Sequence, residues 1–191
     1  MTNETSQQYG ADVTTEIVNH IISTIDRMGI LGRDVGIIMN PQMRPDDAAN
    51  RIYTISRQTG GIRLATVLKL ATATHLASRR RILAPNPSII TAGKAANRIG
   101  VAPVLLADTS AVSDQCSVAV DWYMNAISLT AAGLMVATFG DMDLPSMARR
   151  CGVGEKTTGA IIGHDMNTFA NVRYREIFTI VRNCGSGFHL W

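Results

Sequence analysis

The stretch "DTSAVSDQCSVAVDWYMNAISLTAAGLMVATFG", residues 108–140, decides the fold. Ala, Leu, Met and Ile recur in it at three- and four-residue spacing, the period of a helix. From Val118 to Phe139 it is apolar nearly all round, and a helix of that kind is expected in the middle of a bundle. From Trp122 to Gly140 there is no charge, which reaches the lower limit of about 17 to 25 residues for crossing a bilayer. Asn125, Ser128, Thr130 and Thr138 dilute the run, and no Lys or Arg cluster borders either end. A buried bundle helix is therefore the preferred reading, and a membrane is not an expected partner.

Working outward, helical spacing continues on both sides, so the expected fold class is mainly α: a helical bundle core with extended N- and C-terminal arms. Asp12 is placed to cap a helix carrying Val13, Ile17, Ile21, Ile25 and Met28 on one stripe, with Gly29 ending it. Val35 to Met39 reads as a short strand. Pro45, Asp46 and Asp47 suit the first turn of a second helix that stops near Gly60 and Gly61. A third spans about Ile62 to Leu83, stopped by Pro85 and Pro87, and a short one about Ser88 to Arg98. Beyond Gly140, Asp143 or Ser146 starts a helix that Gly152 ends. A last helix is expected from Glu155 or Thr158 to Arg182, with Phe169, Val172, Ile177 and Val181 inward. The expected organisation is an N-terminal helix and arm over 1–43, a helical core over 44–182 and a tail over 183–191.

Charge is scarce and unevenly placed. The 18 bases are 15 Arg and 3 Lys, the 15 acids 11 Asp and 4 Glu. A helical monomer usually covers its solvent face with Lys and Glu, so a surface covered by other copies or a ligand is implied. Residues 1–43 carry a net −3, 44–98 a net +8, 99–142 a net −4 and 143–191 a net +2. Such a basic segment is what a polyanion partner needs, and guanidinium groups bind phosphate in a two-pronged way. Arg51, Arg63, Lys69, Arg79, Arg80, Arg81 and Arg98 are the candidate nucleic-acid-binding residues. Ser56, Thr59, Thr66, Thr72, Thr74 and Ser78 share the segment and can hydrogen-bond phosphate oxygens. Tyr53 alone is aromatic there, which disfavours base stacking and implies backbone gripping without sequence readout. The competing reading pairs these arginines with the acids around Asp108, Asp114 and Asp121 of neighbouring copies.

Other chemistry is poorly represented. His20, His75, His164 and His189 are scattered and Cys116, Cys151 and Cys184 lie far apart, so no metal, cofactor or small-molecule substrate is expected, and no enzyme. The odd, dispersed cysteines and the polar start MTNETSQQYG suit a reducing, cytoplasm-like compartment. "GVGEKTTG" at 152–159 lacks the spacing of a phosphate loop. "MARRCGVGEKTTGAII" resembles a helix-turn-helix, with Ala148, Gly152, Val153 and Ile161 at its packing and turn positions, and makes a DNA-binding regulator one alternative. A membrane or secretion-complex component is the other.

"DQCSVAVDWYMNA" followed by "DLPSMARRCGV" and "GHDM" resembles the core of flexuous plant-virus coat proteins. In that family a Cys- and aromatic-bearing helix precedes a proline-led helix, a glycine and an acidic residue. The family's arginine before the Cys116 helix is replaced here by Ser113 and Asp114. The resemblance implies a coat or nucleocapsid subunit of a helical RNA virus, filamentous or rod-shaped. Such a subunit self-assembles in many copies around nucleic acid, RNA rather than DNA, and belongs to the virion and the host cytoplasm. It also implies that Asp165 stands for the family's structural core carboxylate.

Overall fold

The structure, a computed structural model, describes residues 3–58, 61–83 and 109–185. Among these the chain is helical throughout: α1 (Asn3–Arg27), α2 (Gly32–Met39), α3 (Pro45–Arg57), α4 (Leu64–Leu83), α5 (Thr109–Phe139), α6 (Leu144–Cys151), α7 (Glu155–Ile162), α8 (Met166–Phe169) and α9 (Tyr174–Cys184). The only β pairing among them is an isolated antiparallel bridge, Arg63 with Arg173. The mainly α bundle expected from the sequence is what forms. The helix expected over Ser88–Arg98, and with it Arg98, lies outside the described residues, as does Thr59.

The packing divides the chain along different lines from 1–43, 44–182 and 183–191. One unit is Met1–Glu16, Gln58–Val67 and Asp121–Trp191; the other is Ile17–Arg57 and Leu68–Val120. On α1, Thr14, Val18 and Ile25 are buried, and because the helix begins at Asn3, Asp12 lies inside it instead of capping it.

In the first unit the core is Ile62, Leu64, Met135, Ile161, Phe169 and Ile180. The backbone ties the start of α4 to the start of α9, with Leu64 N donating to the Val172 carbonyl at 2.8 Å and Tyr174 N to the Ile62 carbonyl at 2.9 Å. Local chemistry sets the helix ends. Asp143 caps α6 by accepting from Ser146 N at 2.8 Å, and Gly152 closes it in a left-handed conformation, φ 75°. One long helix from Glu155 to Arg182 does not form: the chain breaks at Gly163 and His164, the latter at φ 52°, and restarts twice. Asp165 begins α8, and Glu176 Oε2 accepts from Arg173 N at 2.8 Å to begin α9. Phe169, Val172 and Ile177 point inward as expected, while Ile180 rather than Val181 is the deeply buried residue of the last turns.

In the second unit the expected strand at Val35–Met39 is helix α2, packed against α3. Val35, Ile37 and Ile38 are all buried, so a short apolar run that could serve either element is resolved by packing. Gly36 allows the approach, since a Cβ there would sit 2.5 Å from the Ala48 carbonyl oxygen. Ile52, Ile55, Leu70, Ala73, Ala77, Val112, Cys116 and Val120 complete this core.

α5 corrects the central expectation. Val112, Cys116, Val120, Met124, Ser128, Ala131 and Met135 form a buried stripe at three- and four-residue spacing. The opposite side is open, with Val118 70%, Trp122 66%, Leu129 60% and Val136 52% exposed. The all-round apolar composition thus covers a one-sided helix. Ala111–Phe139 is long and apolar enough to cross a membrane by length and composition.

Candidate nucleic-acid interface

The basic segment was expected to supply a phosphate groove, and its described side chains fall on three elements. Arg51 lies exposed on α3, Arg63 is exposed just before α4, and Lys69 and Arg79 lie on α4 itself. Arg51, Lys69 and Arg79 belong to the second unit and Arg63 to the first. Arg80 and Arg81 continue the helical backbone of α4; their side chains lie outside the described residues.

α4 offers the most continuous surface. Leu64, Val67, Leu70, Ala73 and Ala77 face the interior, which leaves Lys69, Thr72, His75 and Arg79 at intervals of three, three and four on the more open side. At 1.5 Å per residue the two bases are about 15 Å apart along the axis. Between Leu64 and Leu83 there is no acid, so no neighbour on the same helix neutralises them. Long basic side chains here keep their heads in water while their stems lie on the helix surface.

The hydroxyls divide. Thr74 and Ser78 are buried and already donate within the helix, Thr74 Oγ1 to the Leu70 carbonyl at 2.7 Å and Ser78 Oγ to the His75 carbonyl at 2.7 Å. They are helix-internal groups rather than phosphate ligands. Thr66 and Thr72 are both half-buried, and only Thr72 lies on the open side.

Asp165 is exposed rather than a buried core carboxylate. It accepts from Asn167 N at 3.1 Å, Thr168 N at 3.3 Å and Thr168 Oγ1 at 2.6 Å. The Thr168 hydroxyl, helped by these amides, holds its carboxyl below the usual range. Its role is to start α8, where a short polar residue before a helix was the available signal.

α6, the turn at Gly152–Gly154 and α7 follow one another and pack together, with Ala148 and Ile161 buried. The second helix lacks a reading edge. Thr157 Oγ1 donates to Glu176 Oε1 at 3.1 Å, and Thr158 is buried and donates to the Gly154 carbonyl at 3.1 Å. That leaves Glu155 and Lys156 exposed in the first turn, too few for base recognition. An open depression beside the first helix is lined by Met142, Asp143, Ser146, Arg149 and Arg150, with Asp143 placing an acid among the arginines.

Two features escaped the sequence reading. Asp34 is buried on α2, its Oδ1 3.4 Å from Arg33 Nε without hydrogen-bond geometry, and burial raises its pKa despite the guanidinium. Cys151 and Cys184, 33 residues apart, bring their sulfurs to 3.6 Å in the core. Cys151 is held as a thiol by its contact with Cys184 and by burial. Among the described residues no group of three or more His, Cys, Asp or Glu could hold a metal ion. Compared with family models, characterised proteins and solved structures, the chain matches none.

Proposed function

We propose that the chain is a structural coat or nucleocapsid subunit that self-assembles into a helical filament on nucleic acid, gripping the phosphate backbone without reading sequence. The observation that carries this reading is the open side of α4, where Lys69, Thr72, His75 and Arg79 line one acid-free helix face. Cations spaced along a helix meet successive phosphates, and hydroxyls between them bind phosphate oxygens. Arg79–Arg81 end the helix at the densest point of the +8 segment, with Arg51 and Arg63 adding to the same segment. Each subunit needs few contacts, because joined copies bind one strand with avidity. RNA is the proposed genome and the virion and host cytoplasm the proposed location, both from the resemblance to flexuous coats. No catalytic step is assigned.

Negative-stain imaging of the purified chain with and without single-stranded RNA tests the reading. Filaments with RNA of any sequence, and RNA binding that weakens with salt and with Arg79, Arg80 and Arg81 replaced by Ala, are the expected results. Discrete dimers preferring one DNA duplex, or RNA binding unchanged by the three replacements, would overturn it.

A further inference from the structure

We propose that Cys151 and Cys184 form a peroxide-responsive thiol pair, closing into a disulfide within the chain that clamps the end of α9 to the end of α6. The pair has no part in gripping phosphate and does not depend on nucleic acid.

The two sulfurs lie 3.6 Å apart in the core of one unit. A disulfide needs about 2.0 Å, so closure asks for a movement of about 1.6 Å, within reach of side-chain rotation. Cys151 is the last residue of α6 and Cys184 the last of α9. Bonds that do not involve sulfur hold these helix ends in place. Asn183 Nδ2 donates to the Cys151 carbonyl at 3.0 Å, and Thr138 Oγ1 on α5 donates to the Cys184 carbonyl at 2.8 Å. The bridge would enclose α7, α8 and α9 in one covalent ring.

The two thiols are not equivalent. Cys184 is 9% exposed and Cys151 0%. With Cys151 as the S–H donor, their contact lowers the pKa of Cys184, while the same contact and burial raise that of Cys151. The thiolate is the reactive form, so Cys184 is the sulfur that a small oxidant meets and Cys151 the one that resolves the product. The Cys184 thiolate attacks one oxygen of hydrogen peroxide. An S–O bond forms, the O–O bond breaks, and the released hydroxide takes the proton that Cys184 had lost. The Cys151 sulfur then attacks the Cys184 sulfenic acid; the S–S bond forms, the S–O bond breaks, and the second hydroxide leaves as water with the Cys151 proton. Two thiols and one peroxide give one disulfide and two waters, the sulfurs losing two electrons and the peroxide gaining them. Cys116 is the internal contrast. It is buried in the other unit, burial raises its pKa, and its Sγ donates at 3.9 Å to the Lys69 carbonyl, a group that cannot resolve a sulfenic acid.

Peptide mapping of the full wild-type chain tests this. Folded protein is treated with hydrogen peroxide, blocked with iodoacetamide and digested with trypsin without reduction. Cleavage after Arg150, Lys156 and Arg182 places the pair on residues 151–156 and 183–191, with Cys116 on 99–149. The first two peptides are expected joined and two hydrogens lighter than their sum, in a chain that runs as a monomer on a non-reducing gel. Cys116 should be alkylated, and dithiothreitol should separate the joined peptides. The bridged protein should melt roughly 4 to 16 °C higher than after dithiothreitol, the shift that a ring of this size brings. In Cys151→Ala the sulfenic acid has no resolving thiol, so dimedone should label Cys184. Peptides recovered apart, a bridge to 99–149, a bridge between chains or an unshifted melting temperature would overturn the proposal. Dimedone on Cys116 and not on Cys184 in folded Cys151→Ala would do the same, and if that variant fails to fold, the wild-type mapping decides alone.

Discussion

Helices α4 and α5 each bury one stripe, Leu64, Val67, Leu70, Ala73 and Ala77 on the first, and Val112, Cys116, Val120, Met124, Ala131 and Met135 on the second. Their open sides differ in kind. α4 shows Lys69, His75 and Arg79 and has no acid; α5 shows Asp121, Trp122, Leu129 and Val136 and has no base. Burial is set by the spacing of small and aliphatic residues, which the two helices share. What each can bind is set by what that spacing leaves outside, and there they are opposites.

The largest expected effects test whether the buried stripes are equivalent. Leu70→Ala and Met135→Ala, both at fully buried positions, should each cost about 2 to 5 kcal/mol in chemical denaturation. Leu129→Ala, on the open side, should stay within about 0.5 kcal/mol where the chain is monomeric. A costly Leu129→Ala would mean that α5 is covered within its own chain and would break the comparison.

Much of this was legible in the sequence, and the reasons are local. Pro45 with its two aspartates, Asp143 and Gly152 each act within one turn, so the starts of α3 and α6 and the end of α6 could be read directly. α2 and the three-way break at Gly163–Arg173 could not, because a short apolar run fits either element and only packing chooses. The open side of α5 was hidden for another reason. Trp122, Leu129 and Val136 look like core residues, and hydropathy does not say whether a covering element exists. At the candidate site the same limit applied: spacing showed which residues were basic, and the loss of Thr74 and Ser78 to helix-internal bonds needed the burial pattern.

Asp34 extends the comparison to an acid on a buried face. Its raised pKa means that protonation favours the folded state, so its contribution to stability is greatest below the ordinary carboxylate value of about 3.9 and is lost as pH rises through the raised folded value. At neutral pH the charge is a burden that Arg33 offsets only in part. Asp34→Asn should raise neutral-pH stability by about 1 to 3 kcal/mol, the scale of an unsatisfied buried group, and the gain should vanish in acid. A loss instead would show that the Arg33 pair outweighs the burial.

Binding should separate the open sides next. Lys69→Ala and Arg79→Ala are each expected to reduce the slope of log binding constant against log salt by about 1, measured by fluorescence anisotropy with single-stranded RNA. Thr74→Val should leave that slope unchanged, because its hydroxyl is buried on the helix backbone. Asp121→Asn should leave it unchanged too if α4 and α5 serve different partners. A slope that responds to Asp121 would merge the two surfaces into one.

The smallest effect belongs to acids that bear their charge in water. Asp143 and Asp165 cap α6 and α8 with carboxyls held below the usual range by the hydroxyls and amides of Ser146 and Thr168, the opposite direction from Asp34. An ionised carboxylate accepts those bonds better than a protonated one, so the caps stabilise above the ordinary carboxylate value and lose this as pH falls through the depressed folded values. Asp143→Ala and Asp165→Ala should therefore lower the melting temperature at neutral pH, with the deficit narrowing toward acid. Asp34→Asn should show a gain that narrows over the same descent. Curves bending in opposite senses would mean that exposure, rather than the number of nearby cations, governs what an acid costs this fold. That is why α5 can carry Asp114 and Asp121 at exposed positions.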